Sequence, residues 1–155
     1  MIEGVIIKKP QIFQDKIEKG EKIKKPGILM EIVRNDEGLL KKFGQSTFTV
    51  AYPRAIKAFH MHQYQDDLWF VATGKAKIVL CDMRETSPTY KQIQEIFAGE
   101  DDYKVVLIPA GVAHGYQVLS SEPVLLFYHS TKPYNKKRPD EIRFPANDPK
   151  IGYRW

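Results

Sequence analysis

Ala58-Phe59-His60-Met61-His62-Gln63-Tyr64-Gln65-Asp66-Asp67, closed off by Gly74, is the stretch from which the fold of this chain can be read. Two of the four histidines stand here, two residues apart. In an extended strand alternate side chains share a face, so His60 and His62 point one way while Phe59 and Met61 point the other. Further on, Ile108-Pro109-Ala110-Gly111-Val112-Ala113-His114-Gly115 brings a third histidine just after a hydrophobic strand. The two segments read as halves of one pocket.

Outward from that stretch the hydrophobic period is mostly two, the mark of strands. Val5-Ile6-Ile7 reads as a strand, and so does Ile28-Leu29-Met30-Glu31-Ile32-Val33 after the Pro26-Gly27 break. Glu37-Gly38-Leu39-Leu40-Lys41-Lys42 reads as a helical turn. Alternation then runs through residues 45–52 and 55–62. Leu68-Trp69-Phe70-Val71-Ala72 and Ala76-Lys77-Ile78-Val79-Leu80-Cys81 flank Thr73-Gly74-Lys75, which predicts a hairpin. Residues 90–97, 105–108, 116–119 and 124–128 complete the series. Nine or more short strands without a long amphipathic helix predict an all-β sandwich or barrel. From about residue 132 the tail holds four of the ten prolines and is expected to wrap the surface in extended form. No repeat or boundary divides the 155 residues, so residues 1–155 are expected to form a single domain.

Hydrophobic content of 43% with 28% charged residues belongs to an ordinary soluble protein. Neither a signal-peptide pattern nor a membrane-length apolar run is present, and membrane association is not expected. The single cysteine, Cys81, lies in an apolar strand and reads as a small buried hydrophobe, consistent with a reducing cytoplasm. Basic residues outnumber acidic ones by 24 to 19, with local runs at Lys22-Ile23-Lys24-Lys25 and Lys136-Lys137-Arg138. No basic helical stripe or aromatic RNA-binding signature accompanies them, which disfavours nucleic acid as a partner. A phosphorylated small molecule suits the same charge.

The pattern His60-x-His62-x4-Asp67-x6-Gly74, followed by Pro109-x-Gly111-x2-His114, closely resembles the two motifs of the cupin barrel. Asp67 stands where that motif has Glu, and Val118 where it has Asn. The resemblance implies a double-stranded β-helix, the jelly-roll barrel. A narrower likeness spans roughly residues 24–155. Arg84-Glu85-Thr86-Ser87-Pro88-Thr89-Tyr90, Ile108-Pro109-x-Gly111-x-Ala113-His114-Gly115 and Asn147-Asp148-Pro149-x-Ile151-Gly152-x-x-Trp155 resemble the signatures of dTDP-4-dehydrorhamnose 3,5-epimerases. That family implies a metal-independent, homodimeric isomerase of nucleotide-sugar and polysaccharide biosynthesis. Its substrate would be a nucleotide-linked 4-keto-6-deoxyhexose. By the same resemblance the catalytic base falls on His60 and the catalytic tyrosine on Tyr128. Tyr134 matches a second pocket tyrosine, Gln45 a substrate-contacting glutamine, and Glu31 an acidic residue near the nucleotide. Lys57 takes the place of a phosphate-binding arginine, keeping the charge without the bidentate fork. With Lys57 opposite in parity to His60, the two share a pocket only through a β-bulge or from a partner subunit.

The chemistry follows from the residue types. A 4-keto sugar has acidified protons at C3 and C5, because loss of either gives an enolate shared with the C4 oxygen. Neutral histidine is a competent base near pH 7, and a phenol on the opposite face can return the proton and invert the centre. Three departures from the family bear on this. Asp67 occupies the position of an enolate-stabilising lysine, Pro26 that of an arginine, and the sequence ends at Trp155 ahead of the segment bearing the family's base-orienting aspartate. In one repair Asp67 becomes the missing carboxylate of the dyad, bonded to His60 or His62, with His62, His114 and Lys57 as candidate enolate donors. In the other, His60, His62, Asp67 and His114 hold a divalent metal ion that serves as electrophile. His60 would then be a ligand and not a base. A sugar-nucleotide-binding cupin without catalysis is the non-enzymatic alternative.

Overall fold

The computed structural model describes residues 1–20 and 25–155; of the basic run at residues 22–25, all but Lys25 lies outside them. Among these residues, strands form at Ile6–Lys8 (β1), Ile12–Gln14 (β2), Ile28–Met30 (β3), Gln45–Ala51 (β4), Ile56–His62 (β5) and Asp67–Thr73 (β6). They continue with Lys75–Asp82 (β7), Ile93–Gly99 (β8), Val105–Ile108 (β9), Val112–Val118 (β10), Val124–Ser130 (β11) and Glu141–Arg143 (β12). Two five-stranded antiparallel sheets, in the orders β1-β9-β6-β11-β4 and β12-β5-β10-β7-β8, face each other, and β2 pairs with β3 apart from both. This is the all-β jelly-roll architecture expected of a cupin.

Each wall is apolar for a definable reason. Trp69 and Val71 of β6 join Ile78 and Leu80 of β7 and Tyr116 and Val118 of β10 in the core between the sheets. Leu68 and Phe70 point the other way, under a cover made by Met30, Ile32, Val33, Leu39 and Leu40. A strand covered on both faces reads as the unbroken run Leu68-Trp69-Phe70-Val71. The outer face of the second sheet is covered too. Phe59, Val79, Cys81 and Ala113 pack under Ile151, Tyr153 and Trp155, with Trp155 centred 5.1 Å from the Phe59 ring. The tail therefore wraps the barrel as expected, and it adds β12 to the edge of β5, a strand the alternation did not reveal.

The expected hairpin at Thr73-Gly74-Lys75 is not one. β6 is hydrogen-bonded between β9 and β11, and β7 between β10 and β8, so the turn carries the chain from one sheet to the other. Both strands have their ladder partners elsewhere, and Gly74 makes the corner with φ +68° where a Cβ would lie 2.8 Å from the Pro123 carbonyl. The helical turn expected at 37–42 forms earlier, as a 3₁₀ turn over Asn35–Glu37 that Gly38 ends in the left-handed region. The strand expected over 28–33 stops at Met30, where Ile32 and Val33 leave the ladder to cover the first sheet.

Candidate active site

Parity delivers the site residues. Asp67 shares the inward face of β6 with Trp69 and Val71, and His114 shares that of β10 with Val112 and Tyr116. On β5, His60 stands directly opposite His114, and their rings are centred 4.4 Å apart. Between His114 and Tyr116 the register slips: these two residues face His60 and Lys57, so β5 carries one residue more than β10. That bulge turns Lys57 onto the inward face with His60 within a single chain. It needs the glycine opposite it, because a Cβ on Gly115 would fall 2.5 Å from the Ala58 Cβ.

The three imidazoles offer nitrogen atoms all within 4.8 Å of one another. His62 places Nδ1 2.9 Å from the Asp140 carbonyl, and His114 places Nδ1 2.9 Å from the Val112 carbonyl. A carbonyl only accepts, so both Nδ1 atoms carry the proton and both Nε2 atoms point inward. Asp67, 2% exposed, lies with Oδ2 3.5 Å from His62 Nε2 and 3.7 Å from His114 Nε2, while Oδ1 accepts from Gln65 Nε2 at 2.9 Å. The carboxylate thus faces His62 and His114, and of the two partners expected for it only His62 is engaged.

Burial opposes charge on each of these groups, and partners decide the outcome. Burial works against the His62 imidazolium, but the Asp67 carboxylate and the Asp140 carbonyl raise its pKa above the ordinary value. Burial likewise opposes the Asp67 carboxylate, and His62, with Gln65, nevertheless holds it below the usual range. His114 is pushed down to about 3 by burial and by His60, so it is neutral, and its buried Nε2 has no hydrogen-bond partner. His60 is lowered by burial and by His62, which keeps it unprotonated at neutral pH. Burial raises the Tyr128 phenol, with Thr47 opposing, and keeps it protonated.

His60 from the second sheet and Tyr128 from the first meet in one cleft with two lobes. A larger lobe of about 1070 Å³ is lined by Gln45, Thr47, His60, His62, Asp67, Tyr128 and Tyr134 on its inner side. A smaller one of about 520 Å³ is lined by Thr49, Lys57, Trp69, Tyr116, Leu126 and Phe144. His60, Tyr128, Glu141 and Arg143 border both. Lys57 reaches the smaller lobe with its ammonium donating to Thr49 Oγ1 at 2.7 Å and to the Val50 carbonyl at 3.1 Å. Gln45 accepts the Tyr134 backbone N–H at 2.6 Å. Glu31 lines neither lobe; it is exposed and paired with Arg34 at 3.0 Å. His129, which alternates away from Tyr128, lies against Phe43.

Several lining residues escaped the sequence reading. Arg143 and Glu141 stand opposite His60 and His62 on β12, but three residues after a proline carry no period to read. Thr47 and Thr49 had a signal: with Gln45 they form the polar face of β4, and that face points inward while Phe48 and Val50 are exposed. A strand with its polar side toward the barrel axis marks a cavity.

The family model for dTDP-4-dehydrorhamnose 3,5-epimerase matches residues 1–155, more of the chain than the sequence signatures reached. The spore coat polysaccharide biosynthesis protein SpsL of Bacillus subtilis is 45% identical over 155 residues, covering 100% of this chain and 97% of its own length. The crystal structure of a dTDP sugar isomerase from Desulfovibrio desulfuricans G20 superposes with a TM-score of 0.84 at 26% identity, over 99% of this chain and 92% of that one. A dTDP-6-deoxy-D-glucose-3,5-epimerase from Legionella pneumophila, crystallised with dTDP-4-keto-L-rhamnose, gives 0.81 at 25% identity, over 99% and 79%. With its barrel, its paired histidine motifs and a match along its whole length, this chain belongs to the dTDP-4-dehydrorhamnose 3,5-epimerase family of sugar-nucleotide epimerases.

Proposed function

We propose that this protein epimerises a nucleotide-linked 4-keto-6-deoxyhexose at C3, at C5 or at both, with His60 as base and Tyr128 as acid. The observation that carries the reading is that these two side chains, from opposite sheets, border both lobes of one cleft. A hexose ring at the junction would present one face to the imidazole and the other to the phenol. His60 removes the proton beside the ketone, the electron pair moves onto the C4 oxygen, and Tyr128 delivers a proton to the other face. Trp69, Tyr116 and Leu126 exclude water from the smaller lobe and strengthen the electrostatics around the enolate.

The carboxylate in the lysine position does not stand bare to that enolate. Its charge is balanced by His62. Positive charge comes from the Lys57 ammonium and from His62 when it is protonated, a form its raised pKa favours, whereas neutral His114, with Nδ1–H committed to Val112, has no proton left to offer. The homodimer implied by the family would cover the outward face of β4, where Phe48 is 59% exposed and lies beside Phe127, the two rings tilted and centred 5.8 Å apart.

The test is deuterium wash-in at C3 and C5 of dTDP-4-keto-6-deoxyglucose in D₂O. His60→Asn is expected to lower exchange about a thousandfold or more, and Tyr128→Phe to lower product formation by about a hundredfold or more. A wild-type protein that binds the nucleotide sugar but exchanges neither proton would favour a non-catalytic binding module instead.

A second reading rests on His114, whose buried Nε2 lacks a partner and points toward His60, His62 and Asp67. Both His62 and His114 donate Nδ1–H to a backbone carbonyl, as metal-ligating histidines do. This donor set fits a borderline divalent ion, which would supply a Lewis acid and leave His60 as a ligand. Elemental analysis of protein purified without added metal separates the readings. One ion per chain, lost in His114→Ala, supports the second; full activity in protein free of metal overturns it.

A further inference from the structure

The outer wall of the larger lobe is built by the tail segment 132–138, and it is cationic. Lys132, Lys136, Lys137 and Arg138 line it, with Lys42 as a fifth cation on the same lobe. The acidic groups of that lobe are already engaged. Asp67 faces His62 and His114, the Asp140 carboxylate accepts the backbone N–H groups of Gln63 and Tyr64 at 3.0 and 2.9 Å, and Glu141 pairs with Arg143. Among the described residues none of the five cations pairs with a carboxylate; the Lys132 ammonium rests 5.1 Å over the Tyr64 ring.

The segment is also held in place. Gln45 accepts from the Tyr134 backbone N–H at 2.6 Å, and Asn135 Oδ1 accepts those of Lys137 and Arg138 at 2.9 and 3.3 Å. Like charges fixed around one cavity repel each other until an anion enters, so the rim is poised for one. Lys57 is differently placed: its ammonium serves the smaller lobe and is occupied by Thr49 and the Val50 carbonyl. Pro26 carries no charge at all.

We infer that the diphosphate of the nucleotide sugar lies in the larger lobe against Lys136, Lys137 and Arg138. The inference rests on the proposed seating of the hexose between His60 and Tyr128. From that junction the larger lobe is the one with uncommitted cations, and Arg138 supplies a guanidinium fork suited to phosphate oxygens. Tyr64 and Tyr134, exposed by 68% and 64%, border the same lobe and offer ring faces to the nucleobase beyond the diphosphate.

The experiment is calorimetric titration of the full chain with thymidine diphosphate at low and high salt. In K136Q/K137Q/R138Q, whose side chains are exposed and make no hydrogen bond or ion pair among the described residues, Kd is expected to weaken about tenfold or more and its salt dependence to shrink. K9Q/K75Q/K150Q removes the same charge far from the cleft and is expected to leave Kd within about twofold. With the nucleotide sugar as substrate, the first triple variant raises KM and leaves kcat unchanged. An unchanged Kd, an equal loss in both triple variants, or a wild-type protein that does not bind thymidine diphosphate would each overturn the inference. Failure of the epimerase reading looks different: the wild type binds the nucleotide and the rim variant weakens it, yet no exchange occurs at C3 or C5.

Discussion

Two aspartates of this barrel are equally buried and oppositely equipped. Asp82, at the end of β7, is fully buried and held from every side. Arg84 donates to it through Nε and Nη2, both at 2.8 Å, and through its backbone N–H at 3.1 Å, while Ser87 and Thr89 each donate a hydroxyl at 2.6 Å. Asp67, at the start of β6, has one firm bond, from Gln65, and two imidazoles at 3.5 and 3.7 Å. A carboxylate whose acceptor sites are filled by fixed donors is a structural part. One whose partners are titratable and loosely spaced has been left able to respond. The site, in other words, is where the barrel leaves a buried charge partly unmet.

Breaking that contrast should be most costly at Asp82. Removing it in Asp82→Ala leaves the partly buried Arg84 guanidinium and two hydroxyls without their acceptor, and about 3 kcal/mol or more of stability should go with it. Chemical denaturation measures this, and exchange activity per folded molecule should survive. If Asp82→Ala melted like the wild type, the cage would be ornamental and the contrast empty.

This cage also shows what could and could not be read from the sequence. Arg84-Glu85-Thr86-Ser87-Pro88-Thr89-Tyr90 did much to reveal the family, yet its arginine, serine and threonine hold Asp82 and the Glu3 carbonyl, and none of them lines the cleft. Gly111 of the second histidine motif belongs to the same packing, since a Cβ there would fall 2.4 Å from the Arg84 side chain. Local motifs were legible because they encode backbone constraints that leave a fixed residue type. His60, His62, Asp67 and His114 were legible together because strand parity and the two glycine turns fix their common face. Which carboxylate oxygen meets which imidazole was not, because it depends on the bulge opposite Gly115 and on Asp140 arriving from the tail. The sheet switch at Gly74 was hidden for the same reason: a two-strand turn signal says nothing of where each strand finds its ladder.

The converse substitution sharpens the comparison. Asp67→Asn keeps the shape and the bond from Gln65 but removes the charge that holds His62 protonated. Stability should change by no more than about 1 kcal/mol, since the loss of the His62 attraction is offset by relief of burying a charge. If the cleft works as proposed, epimerase turnover should fall about tenfold to a hundredfold, the range for removing the carboxylate partner of a site histidine. Exchange kinetics beside a urea titration would decide it. A variant crippled in stability but unimpaired in turnover would make Asp67 a second Asp82.

The smallest effect is the most specific to this pair. Three histidines, His60, His114 and His129, have folded pKa values lowered by burial, His60 also by His62 and His114 also by His60. Below the unfolded value of about 6.5 the unfolded chain therefore binds more protons at these positions, and stability rises with pH up to that value. His62 has the opposite sign. Its raised pKa contributes stability that is fully present below about 6.5 and is lost as pH rises through the folded value. Wild-type stability should accordingly pass a maximum near the ordinary histidine pKa and decline on the alkaline side, by under about 1 kcal/mol in the first pH unit. Asp67→Asn removes the stronger of the two partners that raise His62 and leaves Asp140, so in that variant the decline should shrink while the acid-side rise remains. Asp82 contributes to neither limb: its carboxyl, though opposed by burial, is held far below the usual carboxylate range by Arg84, Ser87 and Thr89, so its stabilisation is lost only as pH falls through strong acid. Denaturation midpoints followed from pH 5 to 8 read the two limbs directly. An alkaline decline as steep in Asp67→Asn as in the wild type would show that His62 does not depend on this carboxylate for its proton.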